Sequence, residues 1–219
     1  MTGPSPGQLR ITEIFLSLQG ETNTVGLPTV FVRLTGCPLR CGYCDTEYAF
    51  SGGEMMSFDA ILARVRDYRV PRVTVTGGEP LAQPACLDLL TSLCDSGNEV
   101  SLETSGAIDV AGVDARVVKV VDLKTPGSSE VSKNLWANLD HCTASDQIKF
   151  VLCDRGDYDW ARLKCDEHQL FERVGEVLFS PSTDQLGAAQ LADWILEDRL
   201  PVRLQVQLHK YLWGDRPGR

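Results

Sequence analysis

From Arg72 onward the chain alternates short runs of β-branched and apolar residues with stretches of helical period, and that alternation leaves few folds open. Strands are expected at Arg72–Thr76, Glu99–Glu103, Val117–Leu123, Gln147–Leu152, Glu176–Ser180 and Val202–Gln207. Helices are expected between them, near Cys86–Ser96, Leu135–His141, Tyr158–Leu170 and Leu186–Asp198. Parallel neighbours need a long connection, which a helix supplies, so the pattern predicts an α/β fold with a mainly parallel sheet and crossover helices. About six strands are too few to close the usual eight-stranded ring, and an incomplete, TIM-like barrel is expected.

The first third of the chain reads differently. Alternating apolar positions in Ile11–Leu16 and Thr29–Leu34 predict two strands joined by Gln19–Leu27, a segment holding Gly20, Asn23 and Gly26. The result is a hairpin-like extension over about residues 9–28. Ser57 is placed to cap a helix reaching about Tyr68, with Ile61, Leu62 and Val65 on one face and Pro71 as its stop. No repeat, low-complexity tract or Pro/Gly/Ser-rich linker breaks the chain, so residues 1–219 are expected to form one domain, with a disordered tail over about 213–219.

A net charge of −9 excludes a broad phosphate-binding surface, because nucleic-acid binding rests on clustered Lys and Arg. A small-molecule partner is expected instead. No run approaches the ~20 apolar residues of a membrane helix, and the polar start Met1–Gln8 lacks the apolar stretch of a secretory signal, so a cytoplasmic protein is expected. The eight cysteines of such a chain are read as thiols or metal ligands rather than disulfides.

Three of them are tightly spaced. After the strand ending at Leu34 comes Thr35-Gly36-Cys37-Pro38-Leu39-Arg40-Cys41-Gly42-Tyr43-Cys44-Asp45-Thr46. Thiolates at spacings of four and three residues can hold three corners of a 4Fe–4S cube and leave its fourth iron open for a substrate. The competing reading is structural zinc, but such a site is normally closed by four ligands, and His141, His168 and His209 are the chain's three histidines. Cys86, Cys94, Cys142, Cys153 and Cys165 lack compact spacing and are expected to be buried thiols.

Further along stands Thr76-Gly77-Gly78-Glu79-Pro80, whose paired glycines let backbone approach a ligand closely. Glu103-Thr104-Ser105-Gly106, Asp122-Leu123-Lys124-Thr125-Pro126 and Ser180-Pro181-Ser182 fall at the ends of expected strands, the edge where parallel α/β sheets bind ligands. Lys124 and Ser180 are placed to meet a carboxylate or a ribose there; capping and surface charge are the plain alternatives.

The C-x3-C-x2-C loop with Tyr43 before its last cysteine resembles the radical S-adenosylmethionine (SAM) superfamily. That resemblance implies an electron passing from the reduced cluster into the sulfonium and a 5′-deoxyadenosyl radical that takes a hydrogen from the substrate, with the protein binding, orienting and shielding. An external reductant of the flavodoxin type follows. Tyr43, Asp45, Gly78, Glu103, Asp122, Lys124, Ser180, Pro181 and Ser182 are the SAM-binding candidates.

Several separated segments narrow the family. Glu13-Ile14-Phe15-Leu16-Ser17-Leu18-Gln19-Gly20-Glu21-Thr22, Pro28 to Cys37, Cys44-Asp45-Thr46 and Gln205-Val206-Gln207-Leu208-His209-Lys210 together resemble the 7-carboxy-7-deazaguanine synthases over nearly the whole chain. The resemblance implies a carbon–nitrogen lyase that converts 6-carboxy-5,6,7,8-tetrahydropterin to 7-carboxy-7-deazaguanine with loss of ammonia, for queuosine and tRNA modification. It implies that Leu18, Gln19, Gly20, Glu21, Arg33, Thr76 and His209 hold the substrate, that Thr46 ligates Mg²⁺, and that the enzyme is a homodimer. A glycyl-radical activating protein is the competing enzyme; Gln19-Gly20-Glu21 and Asp45-Thr46 speak against it.

Overall fold

The computed structural model describes residues 7–214 together with 216 and 218. The chain opens with an antiparallel hairpin of β1 (Gln8–Leu18) and β2 (Pro28–Leu34). β3 (Glu54–Ser57) pairs with the outer edge of β1, and α1 (Phe58–Asp67) follows, its Ser57 cap accepting from the Ala60 amide. Next come β4 (Arg72–Gly77), α2 (Cys86–Asp95), β5 (Glu99–Thr104) and β6 (Val118–Asp122). A 3₁₀ turn over Trp136–His141 leads to β7 (Gln147–Leu152), α3 (Arg155–Glu167) and α4 (Leu170–Arg173). β8 (Glu176–Pro181), α5 (Ala188–Asp198), β9 (Arg203–Leu204) and α6 (Leu208–Trp213) complete the chain.

Among the described residues the nine strands form one sheet in the order β3-β1-β2-β4-β5-β6-β7-β8-β9. From β2 across to β9 every pair is parallel. β3 and β9 lie at opposite ends, so the sheet is open, as an incomplete barrel requires.

The period of two along each strand sorts side chains between a helix-covered face and a concave face. Val30, Val32, Val73, Val75, Val100 and Leu102 join Ile61, Val65, Leu89 and Leu93 in one buried cluster beneath α1 and α2. Ile148, Phe150, Leu152, Val177 and Phe179 join Tyr158, Ala161, Leu191 and Ile195 in a second beneath α3 and α5. Each fully buried Leu or Phe of these layers contributes about 1.5–3 kcal/mol relative to its exposed state. The intervening positions Arg33, Thr76, Glu103, Asp122, Lys149 and Ser180 line the concave face. A register shift between Ile11 and Glu13 lets β1 keep Leu9, Ile11 and Ile14 in the core while Phe15 turns to the concave side.

Four expectations need correction. The sheet has three more strands than about six, because β1 and β3 extend it antiparallel and the hairpin belongs to the sheet rather than standing outside it. The last strand shrinks from Val202–Gln207 to Arg203–Leu204, and the Leu208–Trp213 stretch is helical. α3 starts at Arg155, not Tyr158, because the Asp154 carboxylate accepts from the Asp157 amide, and it stops at Glu167 before Gln169 takes φ 51°. The tail expected to be disordered begins inside α6; positions 215, 217 and 219 lie outside the described residues.

Candidate active site

The cysteine loop leaves β2 through Gly36, whose φ of 101° is left-handed and favours glycine. Its backbone is pinned from several sides. The Gly36 amide donates to Ala49 O at 2.7 Å, Glu79 N donates to Gly36 O at 2.8 Å, and Gly42 N donates to Ser128 O at 3.1 Å. Arg40 N donates to Glu130 Oε1 at 2.6 Å, and the Arg40 guanidinium donates to Cys37 O at 2.8 Å while lying 4.3 Å from the Phe50 ring centroid.

The glycine-rich turn after β4 packs directly on this loop. A Cβ on Gly78 would lie 2.5 Å from Gly36 O and 2.7 Å from Cys37 Cβ, so only glycine permits the approach. The neighbouring Glu79 is fully buried, and its carboxylate accepts from Thr104 Oγ1, Ser105 N, Ser105 Oγ and Leu81 N. It ties the end of β4 to the end of β5, which is a structural task.

A cavity of about 640 Å³ opens between the cysteine loop and the concave face. The structure brings every sequence-derived candidate to its wall: Cys37, Cys41, Cys44, Tyr43, Asp45 and Thr46 from the loop; Leu18, Gln19, Gly20 and Glu21 from the end of β1; Arg33, Thr76, Gly78, Glu103, Asp122, Lys124, Ser180, Pro181 and Ser182 from the strand ends; and His209 from α6. The five remaining cysteines stand away from the wall as free thiols, and Cys86, Cys153 and Cys165 are buried as expected, whereas Cys94 and Cys142 are only partly so.

Among the described residues no group of three His, Cys, Asp or Glu gathers as the ligands of one metal ion. A cube gives each thiolate its own iron and holds them farther apart. All three thiols are half-buried, and burial pushes each of them up while Lys124 opposes the rise. Binding of iron would expel their protons. Among the described residues, three buried polar atoms of this wall have no hydrogen-bond partner: Tyr43 Oη, Asp122 Oδ1 and Ser180 Oγ. Lys124 reaches Asp122 at 3.0 Å and sits 5.9 Å from the Tyr43 ring centroid. Three thiols, a glycine turn packed against their loop and unpartnered polar atoms on the same wall fit a cluster carrying an amino acid and a nucleoside on its open iron.

Toward β1 the wall is carboxylate-rich. Glu103 accepts from Thr76 Oγ1 at 3.2 Å and from Gln19 Nε2 at 3.5 Å, which joins it to two of the residues expected to hold the substrate. Burial, then the charge of Glu21, pushes the Glu103 carboxyl up. Burial would raise Glu21 as well, but Lys149 outweighs it and the net direction is down. Burial likewise opposes ionisation of Asp45, yet hydrogen bonds from Thr46 and Gln207 hold it at about 2. Arg33 Nε is held by Glu13 Oε1 at 2.7 Å, and Tyr48 Oη donates to the same oxygen at 2.8 Å.

Lys149, Phe15 and Phe31 line the cavity without having been singled out from the sequence. The signal for Lys149 was present in Gln147-Ile148-Lys149-Phe150-Val151-Leu152, where the apolar Ile148, Phe150 and Leu152 leave Lys149 on the opposite face. Gln207 and Lys210 lay within a recognised segment but carried no role; Gln207 donates to Glu21 at 2.9 Å and Asp45 at 3.2 Å, and Lys210 reaches Asp45 at 3.4 Å.

The sequence profile of the radical SAM superfamily matches residues 31–121, from β2 to β6. The chain is 45% identical to the 7-carboxy-7-deazaguanine synthase of Koribacter versatilis, over 94% of this chain and 97% of that protein. It is 43% identical to the 7-carboxy-7-deazaguanine synthase of Chlorobaculum tepidum, over 94% of both. Its fold is similar to the crystal structure of QueE from Escherichia coli, with a TM-score of 0.70 at 23% identity over 91% of this chain and 94% of that one. With identity of that order over 94% of its length, the chain belongs to the 7-carboxy-7-deazaguanine synthase family of radical SAM enzymes.

Proposed function

We propose that this cavity converts 6-carboxy-5,6,7,8-tetrahydropterin to 7-carboxy-7-deazaguanine with loss of ammonia, the deazapurine step toward queuosine. The observation that carries the reading is the meeting of three half-buried thiols with the polar face of the sheet in one 640 Å³ space. When bound, the 4Fe–4S cluster and S-adenosylmethionine supply one-electron cleavage and hydrogen-atom abstraction. The chain's own residues bind, orient and exclude water.

In this reading Cys37, Cys41 and Cys44 hold the cluster. Gly78 offers backbone to the amino acid end of SAM, and Asp122, Lys124 and Ser180, with Tyr43, Asp45, Glu103, Pro181 and Ser182, surround the rest. The unpartnered Asp122 Oδ1 and Ser180 Oγ support this, since buried polar atoms in native proteins have partners. The pterin lies against Leu18, Gln19, Gly20, Glu21 and Thr76. Arg33 takes the substrate carboxylate with its planar fork, pre-oriented by Glu13 and Tyr48. His209 faces the ring, and burial lowers its proton affinity. Thr46 supplies a hydroxyl to Mg²⁺, a hard cation that keeps several waters. The chain acts as a single domain, works as a homodimer, and takes electrons from a flavodoxin-type donor. Among the described residues no helix is long and apolar enough to cross a membrane.

The test is anaerobic incubation of the reconstituted protein with reductant, SAM, Mg²⁺ and the carboxy-tetrahydropterin. A deazapurine product with release of one ammonia is expected. Cleavage of SAM without any deazapurine would overturn the substrate assignment.

A further inference from the structure

Lys149 has no part in the roles above, yet it is among the most committed side chains in the cavity. It stands on β7 between Ile148 and Phe150, whose side chains go to the helix-covered core, and its own side chain enters the cavity. There it is 14% exposed and paired with Glu21, itself 12% exposed. The other cations of the wall are engaged elsewhere: Arg33 with Glu13, Lys124 with Asp122, and Lys210 with Asp45. Lys119, the chain's other strongly buried lysine on a strand of this part of the sheet, points to the opposite face and is paired with Asp146.

Glu21 is thus gripped at both oxygens. Lys149 holds Oε2 and Gln207 Nε2 donates to Oε1 at 2.9 Å. Its backbone amide also donates to Gln19 Oε1 at 3.2 Å, which sets the turn that presents the carboxylate. Each carboxylate oxygen has a second lone pair, so Glu21 can still accept from two N–H groups of a planar ligand edge. Glu103 stands near enough for the charge of Glu21 to act on it, and Asp122 is the register partner of Lys149 on β6. A wall with that many carboxylates cannot keep Glu21 ionised and aimed without a buried cation among them.

We propose that Lys149 is a positioning residue for the substrate: its ammonium fixes Glu21 as an oriented carboxylate that reads the amide and amino donors of the pterin edge. The assignment rests on the pterin reading of the cavity. Lys149 acts through Glu21 and leaves cofactor cleavage untouched.

The experiment compares wild type, Lys149→Met, Lys149→Arg, Glu21→Gln and the Lys149→Met/Glu21→Gln double variant as full chains at matched iron content. Substrate KM, kcat, anaerobic pterin binding, SAM cleavage without pterin, and the pH profile of kcat/KM are measured. Lys149→Met should raise KM and the pterin Kd by roughly thirtyfold or more, as expected for one member of a buried charge pair left alone, and kcat should change by less than about threefold. Lys149→Arg should recover most of the loss. The pH profile of Lys149→Met should gain an acid limb, with kcat/KM rising as pH rises, because the unneutralised Glu21 takes up a proton. The double variant should be no worse than Glu21→Gln alone, because no unpaired charge remains. Unchanged KM in Lys149→Met, or additive losses in the double variant, would overturn the role of Lys149. Should Lys149→Met fail to fold, the double variant still decides, since a loss beyond that of Glu21→Gln would overturn the role in the same way. If wild type makes no deazapurine, the pterin reading falls first and this assignment falls with it; product from wild type with unchanged KM in the variant removes Lys149 alone.

Discussion

His209 lies over Gly20 so closely that a Cβ on Gly20 would stand 2.2 Å from the imidazole Nδ1. The contact is reinforced by Leu208 N, which donates to Gly20 O at 2.9 Å. Gly20 therefore seats the C-terminal helix over the cavity, at a point where β1 ends and the expected substrate segment begins. Gly20→Ala should push His209 and α6 aside at a cost of roughly 1–3 kcal/mol, the usual range for overpacking. The expected readout is a roughly tenfold higher KM for the pterin, with SAM cleavage and iron content preserved. An unchanged KM would show that α6 closes on nothing that matters for binding.

Replacement of Cys37, Cys41 or Cys44 by Ala should abolish both the brown cluster and reductive cleavage of SAM, because each thiolate holds a separate corner of the cube. Cys86→Ser and Cys165→Ser should leave the iron content unchanged, since both thiols are fully buried on the inner faces of α2 and α3, away from the cavity. Iron and sulfide determination after anaerobic reconstitution checks both halves.

Thr46 Oγ1 donates to Asp45 Oδ1 at 2.8 Å, so the hydroxyl keeps its oxygen lone pairs for a cation. Thr46→Ala should weaken stimulation by Mg²⁺ and raise KM while sparing the cluster, because a water can replace one oxygen ligand of an octahedral ion. Titration of Mg²⁺ against product formation at matched iron content is the measurement, and identical curves for variant and wild type would remove Thr46 from the metal site.

Burial pushes the Cys165 thiol from its ordinary value of 9 up to about 12. Because the folded value is raised, the stabilisation is present below pH 9 and is lost as pH rises through about 12. In Cys165→Ala the urea midpoint should be lower at neutral pH, yet fall less steeply than wild type between pH 9 and 12. Parallel midpoint curves would show that the thiol does not titrate with unfolding.

Much of this molecule is legible in local pattern. Val73 and Val75, or Ile148, Phe150 and Leu152, declare strands by their period of two, and Ser57 declares a helix start with its own hydroxyl. The spacing of Cys37, Cys41 and Cys44 is local as well, and it points to a cluster before any fold is known. Where local reading failed, a distant contact had decided. β9 is held to β8 with Leu204 opposite Phe179 and Gln205 N donating to Phe179 O, and the chain then turns to lay α6 on Gly20. Lys149 and Lys119 are both buried lysines on β-strands, yet the partner of one is Glu21, 128 residues away, and that of the other is Asp146. Spacing along a strand says which face a side chain takes; the register of β1 to β2 and the docking of the C-terminal segment say what meets it there. The sequence by itself thus determined the alternating sheet, the thiol loop and the polar strand ends. Only the tertiary structure decided which carboxylate each buried cation neutralises, because charge pairing depends on distances of a few ångströms between elements far apart in the chain.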